Sequence, residues 1–160
     1  MASYIPNLSR DNISLYLVPV AWVVAIMPRF WAASNYRKAC GKDFNALQPR
    51  DMVSQINLDQ AIDSKTKGRL LRAEAAQQNG MENMGLFAGA IAAGNAAGLS
   101  PATLNGLGLA YVGLRVVYNH IYIFNDLVPP FARTATFLSS VGVCWAMCIQ
   151  AGNKAKSSLI

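Results

Sequence analysis

The chain has 160 residues, 53% of them apolar and only 14% charged, with a net charge of +6. That length suits one domain, and a soluble domain usually carries about 25% charged residues, so the deficit points to lipid as the solvent. The 14 Lys and Arg flank apolar runs and form no basic stripe, which argues against a nucleic-acid partner.

Four segments can cross a hydrocarbon core of about 30 Å, which takes about 20 helical residues. The first covers 12–34 and contains Pro19 and Pro28. Its apolar part, 13–27, has the length of a signal sequence. Asp11 follows Arg10 directly, however, and Pro28-Arg29 is a poor cleavage region, so it reads as a retained span. A loop over 35–66 follows, with charges of both signs from Asp59 onward, and reads as a solvated cap.

The second span, 67–98, begins polar and becomes apolar. Within it Gly85, Gly89, Ala93 and Ala97 recur every four residues, a period that lets helix backbones approach closely in lipid. A seam inside one bundle and an interface between subunits both fit that stripe. Ser100-Pro101 closes a short turn and opens the third span, 102–124. Asn125-Asp126 and Pro129-Pro130 break the chain before the fourth span, 131–151. The expected fold is all-α: one domain over 1–160, forming an antiparallel four-helix membrane bundle. Arg37, Lys38, Lys42, Arg50, Lys65 and Lys67 cluster around the first loop, and the turn between the second and third spans has no Lys or Arg. Loop charge therefore places the first loop in the cytosol and both termini on the other side.

The unusual polar residues share one leaflet of this arrangement. Arg72, Asn79 and Glu82 are seven and three apart and form one helical stripe; Arg115, Tyr118 and Tyr122 form another, continued by Tyr111. Arg133 and Thr134 open the fourth span. Arg115 lies nine residues, about 14 Å, inside the end of its span, and Glu82 is expected at a similar mid-membrane depth. A lone charge there costs at least about 2.5–3.5 kcal/mol, so the two are expected to pair. A structural ion pair explains less well why hydroxyl and amide groups gather in the same place. A cationic pocket open to the cytosol suits an anionic ligand with carboxylates, and apolar walls suit a lipophilic substrate arriving through the bilayer.

Three features are weighed more lightly. Cys144 and Cys148, four apart, suit packing or lipid contact. His120 lies about 160–200° around its helix from Tyr118 and Tyr122, which suits a packed or interfacial residue better than a general base. Trp22, Trp31 and Trp145, with Tyr4 and Tyr16, suit membrane-interface anchors or packing.

The run Arg72-Ala73-Glu74-Ala75-Ala76-Gln77-Gln78-Asn79-Gly80-Met81-Glu82-Asn83 resembles the second-helix signature of the membrane-associated family of eicosanoid and glutathione metabolism, MAPEG. Arg115-Val116-Val117-Tyr118 with Tyr122, and Arg133-Thr134-Ala135-Thr136-Phe137, are similar to its third- and fourth-helix motifs in order and spacing. The resemblance implies a homotrimer, in the endoplasmic reticulum by the family's habit or in a bacterial inner membrane, with glutathione as co-substrate between subunits. It assigns glutathione contacts to Arg72, Gln77, Asn79, Glu82, Arg115, Tyr118 and Tyr122. It places Arg133, Thr134 and Tyr122 at the reacting sulfur, and an arginine of the first helix, Arg29 or Arg37, at the site. The implied activity is a glutathione-dependent transferase or peroxidase acting on lipophilic electrophiles. Ala75 and Gln78 stand where several glutathione-using members carry arginines, and Phe137 stands where prostaglandin E synthase has a tyrosine. These departures keep two alternatives open: a glutathione-independent isomerase or cyclase, and a non-catalytic lipid-binding partner like the five-lipoxygenase activating protein.

Overall fold

The computed structural model describes residues 6–45 and 47–157, which leaves Tyr4 outside the described residues. Among the described residues, five α-helices follow a 3-10 turn at Ser14–Tyr16: α1 Leu17–Cys40, α2 Met52–Leu58, α3 Ser64–Ala96, α4 Pro101–Ile123 and α5 Pro130–Ser157. No strand occurs among the described residues. α3 packs against α1, α4 and α5, and α1 also meets α4.

Local chemistry sets the helix ends. Gly41 adopts a left-handed φ of 73° and its N–H closes α1 on the Arg37 carbonyl at 2.8 Å. The Asp63 carboxylate accepts the Thr66 N–H at 3.0 Å and starts α3 three residues earlier than expected. Gly98, with φ 71°, ends that helix, and the Leu99 N–H reaches back to the Gly94 carbonyl at 3.0 Å. Ser100 caps α4 by accepting from the Thr103 N–H, with Pro101 in the first turn.

Neither proline interrupts α1. Pro19 lies in its first turn, where an N–H has no helical partner to lose. Pro28 lies inside the helix and deprives the Val24 carbonyl of its i+4 donor. The Asn119 amide of α4 supplies the missing bond, donating to that carbonyl at 2.8 Å. A freed backbone group is thereby satisfied by a neighbouring helix, as lipid requires.

The packed helices enclose two cores among the described residues. Leu17, Ala21, Phe87, Ala90, Ile91, Tyr111, Cys144 and Met147 form one. The other, at the end carrying the long loop, joins Ala32, Tyr36, Leu70, Ala73 and Ile123 to Met52, Ile56 and Ile62 of the loop. The loop is thus more than a solvated cap. α2 turns Met52 and Ile56, four apart, onto the bundle, and Asp59 accepts from the Tyr36 hydroxyl at 2.9 Å. The outer surface is also apolar: Val20, Trp22, Val23, Met27 and Phe30 of α1 and Phe131, Leu138, Trp145 and Ile149 of α5 are exposed. Two stretches, Ser14–Cys40 and Phe131–Ser157, are long and apolar enough to cross a membrane. Trp22, Trp145 and Tyr16 face outward, whereas Trp31 packs edge-on against Phe124.

Candidate functional site

Spacing on α4 turns Arg115, Tyr118 and Tyr122 to one side, and the first turns of α5 bring Arg133, Thr134 and Phe137 opposite. With Asn79 of α3, the side chains of Tyr118, Tyr122, Arg133, Thr134 and Phe137 line a cleft of about 180 Å³. The Tyr118 and Tyr122 rings meet edge to face at 5.4 Å. The Arg133 guanidinium stands 4.8 Å from the Tyr122 ring centre, and that of Arg115 stands 4.4 Å from the Tyr118 ring centre.

Arg115 is 3% exposed. Its Nη2 donates to Asn79 Oδ1 at 2.9 Å, and its Nη1 is buried without a hydrogen-bond partner. Among the described residues no carboxylate pairs with Arg115 or Arg133. Ring faces and an amide oxygen offset part of the burial cost, but they supply no countercharge. Arg133 in the cleft and Arg115 behind Asn79 are therefore two cations that an anionic group would neutralise.

The expected pairing of Glu82 with Arg115 does not form. Helix register explains the difference. Arg72 Nε contacts the Ile123 carbonyl at 3.0 Å; seven residues on, α3 reaches Asn79, while seven residues back, α4 reaches Val116, beside Arg115. Asn79 is thus level with the guanidinium. Glu82 lies a turn farther along, exposed and in no ion pair among the described residues.

Arg72 is also away from the cleft. The Ile123 carbonyl at the end of α4 and the Asp126 carboxylate, 3.3 Å from its Nη2, hold its guanidinium at the α4–α5 turn. Gln77 does not line the cleft either. Asn79, Tyr118, Tyr122, Arg133 and Thr134 do, and Arg115 joins them through Asn79.

Sequence reasoning passed over two ion-pair systems. Arg29 of α1 pairs with Glu74 of α3 at 3.0 Å, with Glu74 buried, and its other nitrogen donates to the Pro49 carbonyl. This identifies which first-helix arginine enters the bundle: Arg29 does, at Glu74, whereas exposed Arg37 pairs with Asp43 at 3.5 Å. Neither lines the cleft. Depth carried the signal, since Arg29 lies eleven residues before the end of α1 and Glu74 ten after the start of α3. The second system is Asp126, which receives Arg69 at 2.7 Å as well as Arg72. The hydrogen bond from Arg69 holds its carboxyl below the usual carboxylate range.

His120 is exposed and its ring contacts Phe124 at 4.9 Å, away from the cleft. Cys144 is buried in the first core and Cys148 is exposed. Gly85 and Gly89 face nothing within 4 Å, whereas a Cβ on Gly80 would meet that of Ala25 at 2.9 Å. The close backbone approach inside the chain is therefore at Gly80, and the Gly85–Gly89 stripe is not an intrachain seam.

No curated protein and no solved structure matches the chain. A family model does, over residues 14–153, which take in α1, the loop, the cleft and most of α5. On that match, the chain belongs to the MAPEG family, which holds glutathione transferases and related enzymes together with non-enzymes.

Proposed function

We propose that the chain is a membrane-bound transferase or peroxidase that uses glutathione against lipophilic electrophiles. All four long helices cross the bilayer, here assigned to the endoplasmic reticulum, with the long loop in the cytosol. The carrying observation is that Arg133 in the cleft and Arg115 beside it have no carboxylate partner among the described residues. Glutathione fits that donor set, because its carboxylates and thiolate are the missing countercharges.

Asn79, Arg115 and Tyr118 hold the carboxylate and amide groups of the tripeptide. Glutathione supplies a thiol, and a free thiol has a pKa of about 8.5. The Arg133 guanidinium favours the charged form of an acid placed beside it, and the Thr134 and Tyr122 hydroxyls are donors to the same point. Stacking on Tyr122 limits where the Arg133 guanidinium can go, so the charge is in place before the ligand arrives.

A homotrimer suits the size of the cleft. Its roughly 180 Å³ is below the 300–1,000 Å³ usual for ligand sites. Glu82 lies three and seven residues before Gly85 and Gly89, on the face where those glycines leave open space. A neighbouring copy seated there would add a wall and bring Glu82 to the bound tripeptide.

One observation favours a second reading. Ala75 and Gln78 leave α3 without two cations, which suits a glutathione-independent isomerase or cyclase in the same cleft. Conjugation of a generic aromatic electrophile by the detergent-purified chain separates the two. The first reading expects strict glutathione dependence and about a hundredfold loss in Arg133→Ala. Turnover of a lipophilic substrate that is unchanged when glutathione is omitted would support the second.

A further inference from the structure

A second cavity lies across α4 from the cleft. It is a groove of about 440 Å³ between α1 and α4, walled by Val24, Met27, Pro28, Trp31, Val116, Ile123 and Phe124, with Asn119 and His120 at its polar corner. Asn119 is only 9% exposed. Its Nδ2 is committed to the Val24 carbonyl that Pro28 leaves open, and that bond fixes the amide plane. Its Oδ1 is left buried with no hydrogen-bond partner. In a bilayer, where water is scarce, an orphaned acceptor is costly, and it asks for a donor. A carboxylate cannot answer it; a hydroxyl can.

We infer that this groove binds a lipophilic alcohol, whose chain lies along α1 and α4 and whose hydroxyl donates to Asn119 Oδ1. Depth agrees with an amphiphile in that orientation. Asn119 is four residues before Ile123, the last residue of α4, so the polar corner lies about 6 Å inside the helix end. Trp31 lines the same corner, and indoles favour the interface. Met27, Val116 and His120 are exposed, so the groove opens sideways toward lipid. A partner helix is a poor occupant. Helices in lipid meet over small residues, as the groove of Ala93, Ala96, Ala97, Gly152 and Ala155 at the other end allows, whereas the walls here are bulky. The site depends on the membrane reading and not on the use of glutathione.

The test uses the full chain in phosphatidylcholine nanodiscs and a long-chain primary alcohol carrying a photoreactive diazirine. Labelling is expected on residues 24–31 and 116–124. Unlabelled alcohol should displace the probe, and the alkane of the same length should compete roughly tenfold more weakly. Asn119→Leu also removes the bond to Val24 and can fail to fold, so Val116→Trp, which fills the groove from an exposed wall position, serves as the second variant. It should cut labelling at least tenfold while glutathione binding stays unchanged. Absent labelling of the wild-type chain, equal competition by alkane, preference for the matching carboxylic acid, or full labelling of Val116→Trp would each overturn the assignment. Loss of glutathione binding in the wild-type chain would bear only on the cleft.

Discussion

Five arginines of this protein, all placed along the packed helices, fall into two groups that lie within a few turns of each other. Arg29, Arg69 and Arg72 each meet a carboxylate, Glu74 or Asp126, and also hold a backbone carbonyl or an aromatic ring. They tie the loop to α1 and the α4–α5 turn to α3. Arg115 and Arg133 have rings and one amide for neighbours and, among the described residues, no carboxylate partner. A charge that is neutralised at the moment of folding stabilises the fold and has little left for a ligand. One that is folded in without a partner weakens the fold until an anion arrives. The contrast separates scaffold from site more sharply than proximity does.

The largest effect should follow from breaking a paired arginine. Glu74→Ala leaves Arg29 partly buried without its carboxylate, with a side chain only 28% exposed. It should cost about 3 kcal/mol, read as a fall in the thermal midpoint of the detergent-purified chain, and an unchanged midpoint would erase the distinction. Next, Arg133→Ala should weaken glutathione binding about tenfold, or 1.4 kcal/mol, with little change in the thermal midpoint. Equal losses of stability for Arg133→Ala and Glu74→Ala would place Arg133 in the scaffold.

The smallest effect is expected at the exposed Asp126. Its folded pKa lies below the unfolded value of about 3.9. Its contribution to stability is therefore complete above that value and lost as pH falls through the folded one. Asp126→Asn should lower the midpoint slightly at neutral pH and shrink the wild-type loss below pH 4. A variant that matches the wild type at every pH would show that the Arg69–Asp126–Arg72 cluster adds nothing.

The four long helices and the Tyr118–Tyr122 face could be read from the sequence through apolar length and helical spacing, and antiparallel order put Arg133 and Thr134 at the same end. Asn79 was also legible on spacing. Its partner was not, because register between two helices depends on contacts such as Arg72 with the Ile123 carbonyl, and one turn of error exchanges Asn79 for Glu82. α2 was missed for another reason. Seven residues in a polar loop show helical periodicity only through Met52 and Ile56, too few to stand out. The Arg29–Glu74 pair needed both helix ends placed correctly before their equal depth could be noticed.

Calorimetric titration of glutathione into the purified wild-type chain and into Arg115→Met tests the central claim most directly. Methionine keeps the bulk of the buried side chain and removes a charge whose Nη1 has no partner, so stability should be preserved or raised. Saturable binding to the wild-type protein, weakened about tenfold in the variant, is the expected result. Equal affinity in the two proteins, or a variant that loses stability as Glu74→Ala does, would contradict it.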